Sequence, residues 1–244
     1  MRGHEQALAL ARRLRASPAV ALSGIECYEG LWALGKSEED RALVQGLLQR
    51  VQAVARQCDD EGLFEADEVL LSAGGSSIFD LVAPLLRCAL SRPVRGVLRS
   101  GCYATHDHGS YRRYMAVMDS RLGCGHGLQA ALEVWARVQS CPEPGLALLT
   151  AGKRDCSYDI EMPIPAWWCA RGESVPVAAP SAWKVSAMND QHAYLRFAAD
   201  APAPHVGDLV GLGISHPCTT FDKWRWMALV DDRYDVVDAL TTYF

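Results

Sequence analysis

Basic residues and long apolar segments are both scarce in this chain of 244 residues. The formal net charge is −5, the pI is about 5.8, and lysine occurs only at positions 36, 153, 184 and 223. Because there is no run rich in lysine and arginine, nucleic acid and anionic membrane surfaces are excluded as main partners. No apolar stretch approaches the roughly 20 residues that a membrane-spanning helix requires, so we expect no membrane span.

A disulfide framework is also missing. The nine cysteines are an odd number and are scattered without a framework spacing, which is typical of reduced thiols in the cytoplasm. Charged residues interrupt every apolar run near the N-terminus, so no signal peptide is predicted. Half of the residues are hydrophobic, and a chain of this length can bury a sizeable core. We expect a soluble, globular, cytoplasmic protein.

The first half of the chain alternates helix and strand patterns. Apolar residues at helical spacing predict helices, and short β-branched runs bounded by glycine or proline predict strands. A β-α-β-α-β succession of this kind makes a parallel sheet covered by helices. The predicted elements are a helix at 4–16, a strand within 20–30, a helix at 37–58 with Ser37 as its N-cap, a strand at 68–75, a helix at 77–90 and a strand at 94–101.

From about residue 130 the pattern changes to short apolar runs separated by proline and glycine, which is typical of an antiparallel β domain. The glycine-rich segment 123–127 marks the predicted boundary between domains at 1–127 and 128–244. Loops are predicted at 175–180 and 201–204. The predicted strand-forming runs are 131–140, 145–152, 184–197, 207–214, 225–230 and 236–244.

The stretch GISHPCTTFDKWR at 213–225 contains a histidine and a cysteine two residues apart, His216 and Cys218. The residues before them predict a strand that ends in a turn. On a strand, side chains two residues apart point to the same face about 7 Å apart, so the imidazole and the thiolate can bind one ion. These ligands suit zinc and leave positions for water or substrate. The alternative is a chance pair in which Cys218 is a small core residue.

The turn after the predicted strand at 68–75 carries Gly74, Gly75 and Ser76. Glycines let the backbone approach a ligand closely, and the N-terminus of the following helix favours an anion, so this turn is a candidate phosphate site. The alternative is an ordinary strand-to-helix turn in which Ser77 and Asp80 cap the helix.

Two further loops after predicted strands are rich in polar residues. One lies at the carboxyl end of a strand, where active-site residues of parallel sheets and barrels are found. The alternative for this loop is a polar surface segment without catalytic function. For the second loop, the favoured interpretation is that its charged residues are exposed and form ion pairs. The residues are Tyr103, His106, Asp107 and His108 in the first loop, and Lys153, Arg154 and Asp155 in the second.

Taken together, these stretches resemble the bacterial amino acid deaminases of the D-serine dehydratase and D-threonine aldolase family. The resemblance extends over nearly the whole chain, and HPCTTFDKWR at 216–225 is its most specific part. Members of this family depend on pyridoxal 5'-phosphate and have an alanine-racemase-like fold. The matching stretches are 5–30, 68–80, 91–109, 131–159, 188–197, 206–225 and 230–244.

The resemblance implies a fold of the α/β plus β class. Residues 1–127 are implied to form the C-terminal part of a pyridoxal-phosphate-binding (β/α) barrel of the TIM type. Residues 128–244 are implied to form an antiparallel β domain that carries the metal-binding motif. The glycine turn is then the phosphate site of the cofactor, held by Gly74, Gly75 and Ser76.

The resemblance also implies the surroundings of the cofactor. Tyr103 lies close by as a candidate catalytic residue, and Tyr28 faces the cofactor from a barrel strand. His216 and Cys218 hold a zinc ion, with manganese as the alternative metal. The implied substrate is a small D-amino acid, and the implied enzyme is a homodimer whose active site is completed at the subunit interface.

The implied reaction is the conversion of D-serine to pyruvate and ammonia. In this dehydratase interpretation, the metal helps the substrate hydroxyl to leave and the cofactor stabilises the carbanion at Cα. One alternative is D-threonine aldolase-type cleavage of the bond between Cα and Cβ. Another is a non-catalytic metal-binding remnant.

The Schiff-base lysine of the family has no counterpart in this sequence. Family members carry it near their N-terminus, in a segment that would precede Met1, and none of the four lysines lies in such a context. The resemblance therefore covers the C-terminal portion of a family member, and Met1 is expected to be an internal methionine. We expect that this chain by itself is not an active lyase.

Overall fold

The structure is a computed structural model that describes residues 3–30, 36–123 and 127–243. The chain divides into two compact units, each with its own buried core. The second unit includes a short segment from within the predicted first domain. The units are Met1–Tyr103 with Tyr114–Gly127, and Ala104–Arg113 with Leu128–Phe244.

Three short strands form a parallel sheet in the first unit, as the β-α-β-α-β pattern predicts. The middle strand, β2, pairs in parallel with both neighbours, and its Leu71 lies opposite Ile25 on one side and Gly96 on the other. The carboxyl ends of all three strands therefore meet at one edge of the sheet. The strands are β1 (Gly24–Glu26), β2 (Val69–Ala73) and β3 (Val94–Leu98), in the order β1-β2-β3.

Two long helices, α1 (His4–Arg15) and α2 (Ser37–Asp60), confirm the helices predicted before and after β1. Their apolar faces form one core with the sheet, which includes Leu8, Leu48 and Leu71, all almost fully buried. Burial of each such side chain contributes roughly 1.5–3 kcal/mol. Among the described residues, no helix is long and apolar enough to cross a membrane.

The start of α2 differs from the prediction. Ser37 is the first helical residue, and Lys36 takes the N-cap position without a side-chain capping hydrogen bond. The buried carboxylate of Asp40 accepts a hydrogen bond from the amide of Lys36 at 3.1 Å. The predicted serine cap is wrong because the helix already includes Ser37, so that Lys36, one residue earlier, occupies the N-cap position.

The helix predicted at 77–90 is mostly wrong. The chain forms only a single turn, α3 (Phe79–Val82), followed by a 3-10 turn at Ala83–Leu85. Pro84 lies in that second turn. Proline has no amide hydrogen and fits only the first turn of a helix, so an apolar pattern that continues past it does not give a continuous helix.

The predicted cap at Ser77 and Asp80 is also wrong, because α3 has no side-chain cap. Asp80 instead accepts two hydrogen bonds from Arg121, both at 2.9 Å, and the two side chains are 3% and 7% exposed. Arg121 lies in the last turn of α4 (Ser110–Leu122), a helix that the sequence patterns did not indicate. A buried bidentate ion pair thus joins α4 to the start of α3.

The second unit contains a seven-stranded sheet in which every neighbouring pair is antiparallel, which confirms the predicted β domain. The strand order is β7-β6-β10-β4-β5-β9-β8. Strands β6 and β7 were not predicted, and β7 lies inside the predicted loop at 175–180. The strands are β4 (Glu133–Glu143), β5 (Leu146–Leu149), β6 (Ile164–Cys169), β7 (Val177–Ala178), β8 (Lys184–Met188), β9 (Ala193–Arg196) and β10 (Leu209–Gly213).

The core of this sheet follows the period of two that a strand requires. In β4, Val134, Ala136 and Val138 are buried, whereas the residues between them are more exposed. They join a buried cluster with Leu195 of β9 and Leu212 of β10. The alternation places the other face of β4, with Glu133 and Trp135, outside that cluster.

A two-stranded antiparallel ribbon at the end of the chain is attached to this other face. The carboxylate of Glu133 accepts hydrogen bonds from the indoles of Trp135 and Trp167 and from the hydroxyl of Tyr234, which lies in the turn of the ribbon. Burial, together with the nearby Glu133, raises the pKa of Tyr234. Every residue of the second strand is exposed. The strands are β11 (Trp226–Val230) and β12 (Val236–Thr241).

Candidate functional site

The glycine turn that follows β2 requires glycine at both positions. Gly74 has a φ of +104°, in the left-handed region that side chains rarely adopt. A Cβ on Gly74 would lie 2.7 Å from Cδ2 of Leu98, and a Cβ on Gly75 would lie 2.8 Å from Cα of Gly30. The backbone at this turn is therefore packed closely against the residues that follow β1 and end β3.

Hydrogen bonds hold both sides of the turn. The hydroxyl of Ser100, which is 4% exposed, donates to the carbonyl of Gly74 at 2.7 Å. On the other side, the amides of Gly74 and Gly75 donate to the two carboxylate oxygens of Glu29, at 3.2 and 2.6 Å. Successive amides that converge in this way bind an oxyanion. The donor set thus fits a phosphate group, and in this structure the carboxylate of Glu29 is the oxyanion that it binds.

Glu29 is the residue that sequence analysis missed. It lies beside Tyr28 in a segment that appears polar and exposed, yet its side chain is only 1% exposed. Burial, assisted by the charge of Glu29, raises the pKa of the Cys27 thiol to about 11. A carboxylate 45 residues away from the amides that it binds leaves no local pattern in the sequence.

Two of the other predicted cofactor residues, Tyr28 and Ser76, lie at this turn. The ring of Tyr28 lies over it, since a Cβ on Gly75 would be 3.1 Å from Cε2 of that ring. Ser76 is buried directly after the two glycines. Tyr103 lies in a short 3-10 segment, Cys102–Ala104, and its side chain lies outside the part of the chain that the structure describes. The roles assigned to these residues stay predictions.

The polar loop before α4 is buried. His106 is 3% exposed with a φ of +55°, and Asp107 is fully buried. One carboxylate oxygen of Asp107 accepts hydrogen bonds from the amides of Gly109 and Tyr111, at 2.8 and 2.9 Å, at the start of α4. Burial raises the pKa of Asp107 to about 6 against these hydrogen bonds, and burial lowers the pKa values of His106 and His108. This loop therefore favours neutral side chains.

The pair His216 and Cys218 lies beyond the end of β10 and not on its face. Cys218 is the first residue of a short helix, α5 (Cys218–Phe221), and is exposed. The strand geometry from which the shared ion was predicted is therefore wrong for this pair, although the strand and the turn before it are confirmed. A shared metal ion at this turn stays a prediction.

A carboxylate orients the imidazole of His216. Its Nδ1 lies 2.6 Å from Oδ2 of Asp159, and the hydroxyl of Thr219 donates to the other oxygen of Asp159 at 2.9 Å. Burial works to raise the pKa of Asp159, but these hydrogen bonds hold it below its usual value. With Nδ1 bound to the carboxylate, Nε2 is the nitrogen that can face a metal, the usual arrangement of metal-binding histidines.

The segment that carries Asp159 is joined to the turn that carries His216. The amide of His216 donates to the hydroxyl of Ser157 at 3.2 Å, and the amide of Ser157 donates to the hydroxyl of Thr220 at 3.1 Å. Among the described residues, no group of three or more histidine, cysteine, aspartate or glutamate side chains is placed to hold a metal.

The loop with Lys153 has mainly structural contacts. The ammonium of Lys153 lies 5.3 Å from the ring centroid of Tyr158. Arg154 and Asp190 form an exposed ion pair at 3.8 Å, which confirms the interpretation of Arg154 as an ion-pairing residue. Asp155 instead accepts a hydrogen bond from the amide of Gly152 at 2.7 Å, so it stabilises the turn and does not form the predicted ion pair.

Comparison with known proteins first defines the fold. The chain aligns with D-threonine aldolase from Filomicrobium marinum with a TM-score of 0.71 at 20% identity, covering 96% of this chain and 56% of that one. An alanine racemase-like protein from Idiomarina loihiensis aligns with a TM-score of 0.66 at 14% identity, covering 97% of this chain and 59% of that one. D-threo-3-hydroxyaspartate dehydratase from Delftia sp. aligns with a TM-score of 0.59 at 18% identity, covering 99% of this chain and 61% of that one. The fold is therefore alanine-racemase-like, with a C-terminal antiparallel β domain.

Sequence comparison then shows which proteins the chain resembles. Residues 131–230 match the model of the putative serine dehydratase domain. A D-threonine aldolase from Arthrobacter sp. is 26% identical over 230 residues, which are 92% of this chain and 52% of the relative. The chain thus spans about half the length of this curated relative. The predicted resemblance to the D-serine dehydratase and D-threonine aldolase family is confirmed.

Proposed function

We propose that this chain supplies the phosphate-binding turn and the metal-binding turn of a pyridoxal-phosphate- and metal-dependent lyase that converts D-serine to pyruvate and ammonia. The observation that carries the proposal is the match of residues 131–230 to the putative serine dehydratase domain. That segment contains His216, Cys218 and the carboxylate that orients the histidine. A small D-amino acid with a β-hydroxyl is therefore the proposed substrate class, and a homodimer is the proposed assembly.

Pyridoxal phosphate, when bound, supplies an electron sink for the electrons at Cα of an amino acid, and zinc supplies a Lewis acid for a hydroxyl. The amides of Gly74 and Gly75, with Ser76, would hold the phosphate. Nε2 of His216 and the thiolate of Cys218 would hold the zinc, and a thiolate favours zinc over manganese.

At the metal, the role of the protein residues is to orient the imidazole of His216 and to determine which of its nitrogens faces the ion. Asp159 accepts the hydrogen bond from Nδ1 of His216 and so directs Nε2 as the nitrogen that would bind the metal. Thr219 prevents the carboxylate from rotating away, because it holds the second oxygen. A ligand fixed in this way loses little rotational freedom when the metal binds.

The proposed lysine partner of the cofactor lies outside the four lysines described above. Lys184 is the exposed first residue of β8. Lys36 forms an ion pair with Glu39 at 3.3 Å, Lys153 lies against Tyr158, and Lys223 lies 3.7 Å from the carboxylate of Asp222. These contacts are ordinary stabilising ones. We therefore propose that activity requires a lysine from beyond residues 1–244, and that the isolated chain releases no pyruvate.

The test compares residues 1–244 alone with the product of the longest reading frame that contains them, each supplied with pyridoxal phosphate, zinc chloride and D-serine. Pyruvate is expected only from the longer product. Pyruvate from residues 1–244 alone would overturn the requirement for an outside lysine. Absence of any product from D-serine and from D-threonine, with both proteins folded, would overturn the proposed lyase function.

D-Threonine aldolase-type cleavage is the second candidate, favoured by the 26% identity to the Arthrobacter aldolase. It would break the bond between Cα and Cβ and release glycine and acetaldehyde from D-threonine. Glycine from D-threonine without keto acid from D-serine would establish the aldolase in place of the dehydratase. Metal analysis beside Cys218→Ala tests the ligand set, because equal zinc content in both proteins would remove Cys218 as a ligand.

A further inference from the structure

The amides that fit a phosphate group are bound by a side chain of the same unit. The carboxylate of Glu29 takes one amide on each oxygen, from Gly75 at 2.6 Å and Gly74 at 3.2 Å. At 1% exposure, the carboxylate has no bulk water to replace those donors. Since a buried charge is costly unless it is hydrogen-bonded, the two amides are what stabilises Glu29 in this position.

A phosphate and this carboxylate exclude each other at the same two amides. Each amide has one hydrogen to donate, and both hydrogens are directed at Glu29. A phosphate oxygen at hydrogen-bond distance from Gly75 would also lie within a few ångströms of the buried negative charge, where like charges repel strongly. Binding of the phosphate therefore requires the carboxylate to move away.

The turn is built to keep its shape when the carboxylate leaves. Ser100 holds the carbonyl of Gly74 from the opposite side, and the φ of +104° at Gly74 orients the following amide without help from Glu29. The chain before Glu29 is fixed as well, because the amide of Cys27 donates to the carbonyl of Ser72 at 2.8 Å. The backbone at Cys27 therefore stays in place when the carboxylate of Glu29 moves.

We propose that Glu29 is an internal competitor of phosphate: its carboxylate occupies the anion position formed by Gly74 and Gly75, and a phosphate group binds there only after displacing it. This inference rests on the proposed function only for the assignment of the Gly74 and Gly75 amides to a phosphate. The apparent affinity for phosphate is then lowered by the fraction of molecules in which Glu29 occupies the amides.

The first test measures binding of inorganic phosphate by isothermal titration calorimetry to the wild type, to Glu29→Gln and to Glu26→Gln. Glutamine at 29 keeps the shape and one oxygen acceptor but removes the charge. Glu26 is the matched control, because it lies three residues away, its side chain is 70% exposed, and its ion pair is with Arg99. We expect phosphate to bind Glu29→Gln about tenfold or more tightly than the wild type, and Glu26→Gln within about twofold of it.

The second test uses the wild type alone and so does not depend on the folding of a variant. In nuclear magnetic resonance spectra, phosphate is expected to shift the amide signals of Gly74 and Gly75 and the side-chain carboxyl signal of Glu29 along one common titration curve. Shifts of the amides with an unchanged Glu29 carboxyl signal would overturn the proposal. So would equal phosphate affinity in Glu29→Gln and Glu26→Gln, or amide signals that stay unchanged at saturating phosphate.

Failure of this inference is distinguishable from failure of the proposed function. Titration with pyridoxal 5'-phosphate and with pyridoxal, which lacks the phosphate, reports the phosphate contribution without any catalytic assay. Tighter phosphate binding by Glu29→Gln, with no lyase activity in the longer product that contains residues 1–244, would support this inference and contradict the proposed function. Lyase activity in that longer product, with equal phosphate affinity in wild type and Glu29→Gln, would contradict this inference only.

Discussion

Loss of either partner of the buried ion pair between Asp80 and Arg121 is expected to destabilise the first unit far more than loss of an exposed pair of equal length. In Asp80→Asn the guanidinium of Arg121 stays buried without its counter-ion, and among the described residues its Nη1 already has no hydrogen-bond partner. Breaking a buried pair on one side typically costs about 3–5 kcal/mol. Arg196 and Glu143 also meet at 2.9 Å, but their side chains are 50% and 56% exposed.

The matched variant Glu143→Gln is expected to lose no more than about 1 kcal/mol, because exposed pairs are screened by water. A double variant with Asp80→Leu and Arg121→Met should recover most of the loss of Asp80→Asn, since it buries no unpaired charge. Urea unfolding followed by circular dichroism measures each free energy of unfolding, with amide exchange in α2 as the probe of the first unit, which contains Asp80, and in β4 as the probe of the second unit, which contains Glu143. A loss in Asp80→Asn no larger than the loss in Glu143→Gln would refute the reasoning.

Three further outcomes are expected. Asp159→Asn should weaken zinc binding by about 10–100-fold in competition with a chelator, because His216 loses its orienting carboxylate, whereas Asp190→Asn, at an exposed pair, should change it little. Burial raises the pKa of Asp107 to about 6, above the roughly 3.9 of the unfolded chain, so the native state binds the proton more tightly. Relative to Asp107→Asn, wild-type stability should therefore fall by about 2 kcal/mol as the pH rises from 4 to 7, and parallel urea curves for the two proteins would contradict this. Gly74→Ala should destabilise the protein more than Gly172→Ala in thermal unfolding. Both glycines have a positive φ, but only a Cβ on Gly74 would lie against Leu98. Equal losses of stability would show that backbone strain, and not this contact, dominates.

Local patterns in the sequence predict the elements that depend on local physics. The parallel β1-β2-β3 unit and most strands of the β domain follow from apolar periodicity, which reports the face that each element buries. The helix predicted at 77–90 fails for an equally local reason, because Pro84 interrupts a pattern that is otherwise helical. Strand β6 was missed because its sequence, IPAWWC, does not alternate between apolar and polar residues.

The contacts that define the candidate site are not local, and no spacing rule reveals them. Glu29 meets its amides across 45 residues, Asp159 meets His216 across 57, and Asp80 meets Arg121 across 41. Each is an acid whose environment is set by the fold, so in the sequence it resembles any exposed acid. The pair His216 and Cys218 was found because of its short spacing and its resemblance to a family motif, although its local geometry differs from the strand that was predicted.

Because the β11-β12 ribbon is attached to β4 through Glu133, the ribbon is expected to open before the sheet of the second unit unfolds. The residues of β12 are all exposed, so little apolar burial holds that strand, and an isolated two-stranded ribbon is marginally stable in water. The hydrogen bond from Tyr234 to Glu133 joins the turn of the ribbon to β4, and its rupture frees the turn without disturbing the buried core. Amide hydrogens of the ribbon should therefore exchange with solvent through a local opening, whereas those of β4 and β10 should exchange only when the whole sheet unfolds.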